Sequence, residues 1–318
     1  MNCNSTILFS TNHFKTNFLI VIWIMFFTAA IFANDADDKT DWPGFRGANG
    51  DAVVSSAGIL QNDGDYGLKV AWKTEIGSGY SSVSIANGQA VAMFSDGRQD
   101  NIAAFDAKSG AELWRFAFDS TYKGHDGSHD GPISTPFISG DKVYGLGARG
   151  QLFALDASTG SKIWMKDLTG DQNATKPHYG FSTSPIVIGN VLIVETNGRA
   201  QNAIAGFNKN SGELLWSTGA DTIDYQSPMA ITIDGQPKLM CAGNKYLYGL
   251  QPASGEKVWE YAHKGDASPI GSGSMNPVPV GKNRYFLTNS ARQAALIEIT
   301  KGADNYLVEE VWSTRNVK

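Results

Sequence analysis

The sequence predicts an all-β fold of repeated four-stranded antiparallel blades, a β-propeller, and three observations carry that reading. An 11-residue pattern, Ala-x-Asp-x-x-x-Gly-x-x-x-Trp, is complete over residues 104–114 and again over 154–164, and it drifts in two later copies. Trp72, Trp114, Trp164, Trp216, Trp259 and Trp312 are separated by 42, 50, 52, 43 and 53 residues, the length of one propeller blade rather than of a helical repeat. After residue 40 no segment keeps a 3.6-residue apolar period, whereas short alternating runs bounded by glycine turns abound.

The chain has 318 residues, ample for a large core, and divides by composition into three parts. Residues 1–33 read as an export signal, with Lys15 the single charged side chain before an uncharged apolar run over 18–32. Ala29, Ala30 and Ala33 place cleavage after Ala33, although Ile31 is bulky for its position. An uncleaved anchor is the alternative, but the run is shorter than the ~20 residues that span a bilayer comfortably. Cys3 precedes the run and no cysteine follows it closely, so no lipid anchor is expected.

Residues 34–67 form an N-terminal strap, polar and glycine-rich, in which Trp42 and Phe45 would cover apolar surface. After signal removal only Cys241 remains, so stability must come from packing rather than from an internal disulfide. The formal net charge is −5, with no basic stripe and no arginines interleaved with aromatics, which excludes a nucleic-acid partner. A membrane contact is expected only through an uncleaved signal.

Residues 68–318 carry the repeats. In the second unit, strands are expected over 134–138, 142–146, 151–155 and 162–166, separated by turns that each contain glycine, where positive φ is cheap. A second marker keeps phase with the first. Thr135-Pro136, Ser184-Pro185, Ser227-Pro228 and Asn276-Pro277 precede their tryptophans by similar distances, with Ser82-Val83 in the equivalent place of the first unit.

The repeated stretch has a mechanical reading. Its Ala, replaced by Gly206 and Gly249 in the drifted copies, lets the third strand approach its neighbour closely. Asp106 and Asp156 accept backbone N–H bonds in an Asx-turn, and Gly110, Gly160, Gly212 and Gly255 take the strained turn position. Trp114, Trp164, Trp216 and Trp259 then sit on the outer strand, packed between blades with the indole N–H on a carbonyl. Calcium binding by these turns is the alternative, but one carboxylate per turn supplies too few oxygens, and Asn208 and Gln251 stand in its place later.

On these residues the chain resembles the quinoprotein-type (PQQ-like) β-propeller repeat family over 68–312, with the last unit keeping only Trp312 and alternating strands. The segments Trp42-Pro43-Gly44-Phe45-Arg46-Gly47 and Gly131-Pro132-Ile133-Ser134-Thr135-Pro136 resemble exported bacterial PQQ-binding-like and outer-membrane-assembly-like members. The resemblance implies either of two activities. One is a dehydrogenase oxidising alcohols or sugars, with PQQ and calcium near the axis beside a general-base Asp. The other is a non-catalytic scaffold for an envelope protein or small ligand. The vicinal disulfide typical of the alcohol dehydrogenases is absent, and no calcium set or catalytic Asp matches residue by residue. The scaffold is therefore the first reading, in the periplasm or outside the cell, with no catalytic residue and no cofactor assigned. A polysaccharide-binding or hydrolytic propeller is a third reading, and it would need two acids suitably spaced.

Counting units, five complete blades and one outer strand over 68–74 are expected, part of a seven- or eight-bladed ring. Such a ring would leave an open sheet edge and an apolar blade face. Closure within this chain, with residues 41–66 supplying the missing strands, is the alternative.

The loop over residues 122–132 is the most chemically suggestive, with two His and two Asp in six positions. His125, His129 and Asp130, with His178 from the equivalent loop of the next unit, are the candidate binding residues. A metal site is conceivable there, but His-x-x-x-His on a glycine-rich loop lacks the helix that would align both rings, so no metal is assigned. His263, Arg199, Arg284 and Arg292 read as solvated strand ends. Cys241, on an apolar strand, reads as a buried small hydrophobe.

Overall fold

The computed structural model describes residues 41–53, 67, 69–171, 174–197, 202–219, 221, 225–262, 276–288, 294–303 and 305–315. The expected signal segment, along with His263, Arg199 and Arg292, lies outside these residues. The chain is all-β, and five four-stranded antiparallel sheets follow one another along it, each in simple up-and-down order.

The first blade holds β1 (Ser84–Ala86), β2 (Gln89–Ser95), β3 (Gln99–Asp106) and β4 (Glu112–Ser120). The second holds β5 (Phe137–Ser139), β6 (Lys142–Leu146), β7 (Gln151–Asp156) and β8 (Lys162–Asp167), followed by one helical turn, α1 (Leu168–Asp171). The third holds β9 (Ile186–Ile188), β10 (Val191–Glu195), β11 (Ile204–Asn208) and β12 (Leu214–Thr218). The fourth holds β13 (Met229–Ile233), β14 (Gln236–Ala242), β15 (Tyr246–Leu250) and β16 (Lys257–Ala262). The fifth holds β17 (Val278–Pro279), β18 (Arg284–Thr288), β19 (Ala294–Lys301) and β20 (Tyr306–Thr314). The first strand of the second blade starts three residues later than expected, because Thr135 bonds to the neighbouring segments through Ser82 and Ser184 instead of a ladder.

The middle strands β2, β3, β6, β7, β10 and β11 are buried almost end to end, and the outer strands alternate. Sheet faces covered on both sides explain the near-continuous apolar runs in the middle strands. In the first four blades the repeat's small residue lies directly opposite its tryptophan: Ala104 to Trp114, Ala154 to Trp164, Gly206 to Trp216 and Gly249 to Trp259. A Cβ on Gly206 or Gly249 would overlap the indole across the ladder. A β-bulge follows that pair in each of these blades, turning the outer strand so that its tryptophan meets the next blade.

Each indole lands on the following blade's turn. The ring N–H groups of Trp72, Trp114, Trp164 and Trp216 donate to the carbonyls of Ala107, Ala157, Lys209 and Pro252 at 3.0, 2.7, 3.2 and 3.0 Å. Their rings lie against Gly110, Gly160, Gly212 and Gly255, each with φ of 70–74°. A Cβ at Gly160 would come within 2.6 Å of the Trp114 ring, so glycine is required both for φ and for the approach. Asp156 Oδ1 accepts from the Ser158 and Thr159 N–H groups and both hydroxyls, and Asn208 does the same for Asn210 and Ser211 N–H. Those bonds hold the Asp156 carboxyl below the usual carboxylate range.

A second chain of bonds runs along the first-strand side. Ser82 N–H donates to Thr135 Oγ1, Thr135 N–H to Ser184 Oγ, Ser184 N–H to Ser227 Oγ and Ser227 N–H to Asn276 Oδ1, at 3.1, 3.0, 2.9 and 3.2 Å. The Ser/Thr/Asn-Pro marker is thus a latch from each blade to the next.

Two boundaries differ from expectation. The segment around Trp72 docks on the first blade through its indole, and among the described residues it forms no ladder with another strand. In the fifth blade Leu296, a large residue, faces Trp312, and the β19–β20 ladder continues from Ile297↔Glu310 to Lys301↔Tyr306. That extension moves the docking turn away by four residue pairs. Trp259 Nε1 is consequently buried without an acceptor, and the Tyr261 hydroxyl instead donates to Glu310 at 2.8 Å across the boundary.

The strap crosses the inner strands. Trp42 exchanges both backbone bonds with Ile85 (2.7 and 2.8 Å), Ile138 N–H donates to Pro43 O at 2.8 Å, and Ala230 N–H donates to Asn49 O at 2.7 Å. Gly44 is pressed against the Phe137 ring, and Arg46 donates to Pro277 O at 3.4 Å. Residues 41–53 therefore tie the first, second and fourth blades together and form no strand of a sixth.

The two ends of the tryptophan series should respond differently to truncation. Trp114→Ala removes a buried, docked indole and is expected to cost about 3–5 kcal/mol of unfolding free energy. Trp312 is 43% exposed, and Trp312→Ala is expected to cost about 1 kcal/mol or less. Urea denaturation of both variants checks the contrast.

Candidate functional site

The loops that join blades gather on one side of the sheets, and the 121–136 loop is built by its own polar groups. Tyr122 N–H donates to Asp100 Oδ2, and Gly131 N–H closes the loop onto Tyr122 O at 2.9 Å. Asp130 accepts from Gly124 N–H at 2.9 Å and from Lys123 Nζ at 2.7 Å. The lysine and the N–H hold its carboxyl below the usual range. Asp126 and Gly127, at φ of 53° and 84°, make the tight turn between the half-buried His125 and the exposed His129.

His125 and His178 come together from consecutive loops, their ring centroids 5.6 Å apart. His125 Nε2 is 3.1 Å from the Tyr122 hydroxyl, and His178 Nε2 is 3.2 Å from Asp126 Oδ2. His129 does not join them. It packs on Tyr80 at 6.1 Å, and its N–H donates to the Tyr80 hydroxyl. Asp130 faces Lys123 rather than a histidine. Among the described residues no three His, Cys, Asp or Glu side chains are placed to hold a metal ion.

Beside His125 opens a cleft of about 460 Å³ lined by Tyr122, Lys123, His125, Arg149, Thr169 and Lys176. Arg149 and Lys176 both stand over the Tyr122 ring, at 5.3 and 5.7 Å from its centroid. Arg149 is held there by Asp119 Oδ2 (2.6 Å) and by the Ser120 and Thr121 carbonyls. Neither Arg149 nor Lys176 belongs to a recognisable motif, and the sequence reading missed both. Burial raises the Tyr122 hydroxyl above its ordinary range, so it stays a neutral donor or acceptor.

Three acids are buried among the described residues: Asp100, Glu195 and Asp221, whose Oδ2 accepts from the Lys245 and Tyr246 N–H groups. Asp100 is pushed up to about 6 by desolvation, opposed by the bond from Tyr122 N–H. Glu195, closing the apolar run of β10, is pushed up to about 8 by complete burial, and bonds from Thr183 and Cys241 offset only part of that rise. Its Oε1 has no partner. Cys241 is buried too, its thiol raised by desolvation and by Glu195, which makes it unreactive. The signal for Glu195 was an acid ending an otherwise apolar strand.

With this geometry established, comparison with known proteins is informative. The family model described as outer membrane protein assembly factor BamB matches residues 98–317. The chain belongs to that PQQ-like propeller family. It is similar to the quinohemoprotein alcohol dehydrogenase ADH IIB of Pseudomonas putida, 31% identical over 181 residues, 53% of this chain and 26% of the relative. It is also similar to the outer membrane protein assembly factor BamB of Yersinia pestis, 20% identical over 215 residues, 65% of this chain and 51% of the relative. Among solved structures, the quinohemoprotein alcohol dehydrogenase of Comamonas testosteroni superposes with a TM-score of 0.57 at 14% identity, over 91% of this chain and 50% of that one. This chain thus spans about half or less of the length of these relatives. No helix among the described residues is long and apolar enough to cross a membrane.

The buried Glu195 makes stability depend on pH. The folded chain keeps its proton up to about pH 8, whereas the unfolded chain releases it near 4.5. Between those values the unfolded state binds fewer protons, so stability falls as pH rises. Glu195→Gln is expected to flatten this slope and to raise stability at pH 7 by roughly 3 kcal/mol, as measured by urea denaturation from pH 4.5 to 8.5.

Proposed function

We propose that this chain is an exported, non-catalytic binding scaffold of the cell envelope, with a partner in outer-membrane protein assembly. The observation that supports this most directly is how the polar groups on the first-strand side are used. Ser82, Thr135, Ser184, Ser227 and Asn276 are engaged in blade-to-blade latches, and the strap is bonded across the inner strands. Side chains and backbone groups engaged in these bonds are not free to hold a ligand.

The residues present do not fit a calcium-held quinone. Calcium takes six to eight oxygens, and no three acidic, His or Cys side chains converge among the described residues. The repeated turn carboxylates are saturated by their own backbone. Cys241 has no adjacent cysteine in the sequence to form a vicinal disulfide beneath a quinone ring. What the fold offers instead is a stiff frame whose exposed loops differ from blade to blade, a frame suited to recognition.

The assembly factor among the relatives supports an envelope partner of that kind, and the apolar run over 18–32 supports export. Calorimetric titration of the folded chain with pyrroloquinoline quinone, with and without calcium, is expected to give no saturable heat, and the same sample no oxidation of alcohols or sugars. Crosslinking in intact envelopes is expected to join the chain to the assembly machinery for outer-membrane proteins. Saturable quinone binding with turnover would overturn the scaffold reading in favour of a dehydrogenase.

A further inference from the structure

Independently of the scaffold reading, we infer that the cleft between the first and second blades binds an acidic sugar unit, a pyranose carrying a carboxylate or phosphate. Two separate observations meet there.

The first is charge. Lys123, Arg149 and Lys176 line the cleft with His125, Tyr122 and Thr169, and no carboxylate lines it. Two of the cations are paired with acids outside the lining, Arg149 with Asp119 and Lys123 with Asp130, at 2.6 and 2.7 Å, and Asp126 is bonded to His178 at 3.2 Å. Asp167 is turned onto Thr169, accepting from its N–H and hydroxyl. Lys176 has no carboxylate partner among the described residues, and only the Tyr122 ring faces its ammonium. In a chain of net charge −5, a carboxylate-free lining with three cations is selective for an anion. An Arg149 pinned by three bonds is already oriented and loses little entropy on binding.

The second is a row of rings that leads out of the cleft. Tyr122 contacts His125 at 5.8 Å, His125 contacts His178 at 5.6 Å, His178 contacts Tyr179 at 4.7 Å, and Tyr179 contacts Tyr225 at 5.9 Å. The row crosses the loops of three consecutive blades. His178 and Tyr179 are exposed, Tyr179 at 41%, and Tyr179 N–H is held by the Tyr225 hydroxyl. Exposed rings fixed in place beside a polar cleft suit a ligand with an apolar ring face and polar edges. A pyranose has both, with C–H bonds for the rings and hydroxyls for Tyr122, Thr169 and His125. A bare anion would use only the cleft, and a neutral sugar only the row.

The test is calorimetry on the full chain at low salt, with a trimer of glucuronate, a neutral glucose trimer, glucuronate alone and inorganic phosphate as probes. The glucuronate trimer is expected to bind saturably. Lys176→Glu should weaken it at least tenfold and His178→Ala severalfold, with folding of both verified by circular dichroism. Free glucuronate should bind more weakly than the trimer, and the neutral trimer hardly at all. Equal binding of acidic and neutral trimers would overturn the charge assignment. Equal binding of phosphate and trimer, unchanged in His178→Ala, would overturn the sugar and leave a plain anion cleft. No binding of any probe by folded protein would overturn the inference outright. None of these results bears on the quinone titration, so the two readings fail separately.

Discussion

The contact on which the rest of the structure depends is an indole of one blade resting on the turn glycine of the next. It has three requirements, and each accounts for a feature of the repeat. The ring must leave its own sheet, so a small residue faces it across the ladder and a bulge follows. It must meet backbone rather than a side chain, so Gly160 or its equivalent sits at positive φ beneath it. Its N–H must find an acceptor, so the turn is held rigid by Asp156 or Asn208 with the following carbonyl presented outward. The contact has a direction, because each blade supplies the ring and the next supplies the seat. Stability then accumulates through nearest-neighbour interfaces, as in other stacked repeats.

The Ser/Thr/Asn latches repeat that direction on the first-strand side, so every early interface is tied near both edges of the sheet. Between the two ties lies a dry core of middle-strand residues, and in it Glu195 is an anomaly. A carboxyl with an unpartnered oxygen, beside Cys241, costs stability at neutral pH. The fifth blade breaks the pattern in a second way. Its longer hairpin carries the docking turn beyond the reach of Trp259, whose N–H is left buried and unpaired, and the outer strands there meet through Tyr261 and Glu310 instead.

Most of the fold was legible because its signals are local. A turn needs Gly160 whatever surrounds it, and a tryptophan at regular spacing announces the seat it will occupy. The segment around Trp72 shows the limit of that logic. Its ring docks as the spacing requires, but a strand needs a neighbouring strand, and spacing does not report neighbours. The loop over 122–132 was also legible from its composition, and His178 was correctly placed beside His125. What composition could not rank was direction: His129 turns to Tyr80 and Asp130 to Lys123, away from the histidine pair. Lys176 and Arg149 were illegible for the opposite reason. Each is a lone cation in sequence, and only the face of Tyr122 brings them together.

The same division explains why a strong fold signal coexists with relatives of different activity. The repeat encodes interfaces between blades, and, Trp259 and Trp312 apart, the residues that define it are consumed in making them: the indole N–H on a carbonyl, the Asp on its own turn, the Ser or Thr on the neighbouring N–H. None of these is left over to touch a ligand. Chemistry can therefore enter only through residues outside the repeat, on loops whose ends the frame holds fixed. In this chain those loops carry rings and cations, with Asp119 and Asp130 turned toward arginine and lysine, Asp167 toward Thr169 and Asp126 toward His178. What such a loop surface meets is therefore set by those side chains and not by the repeat.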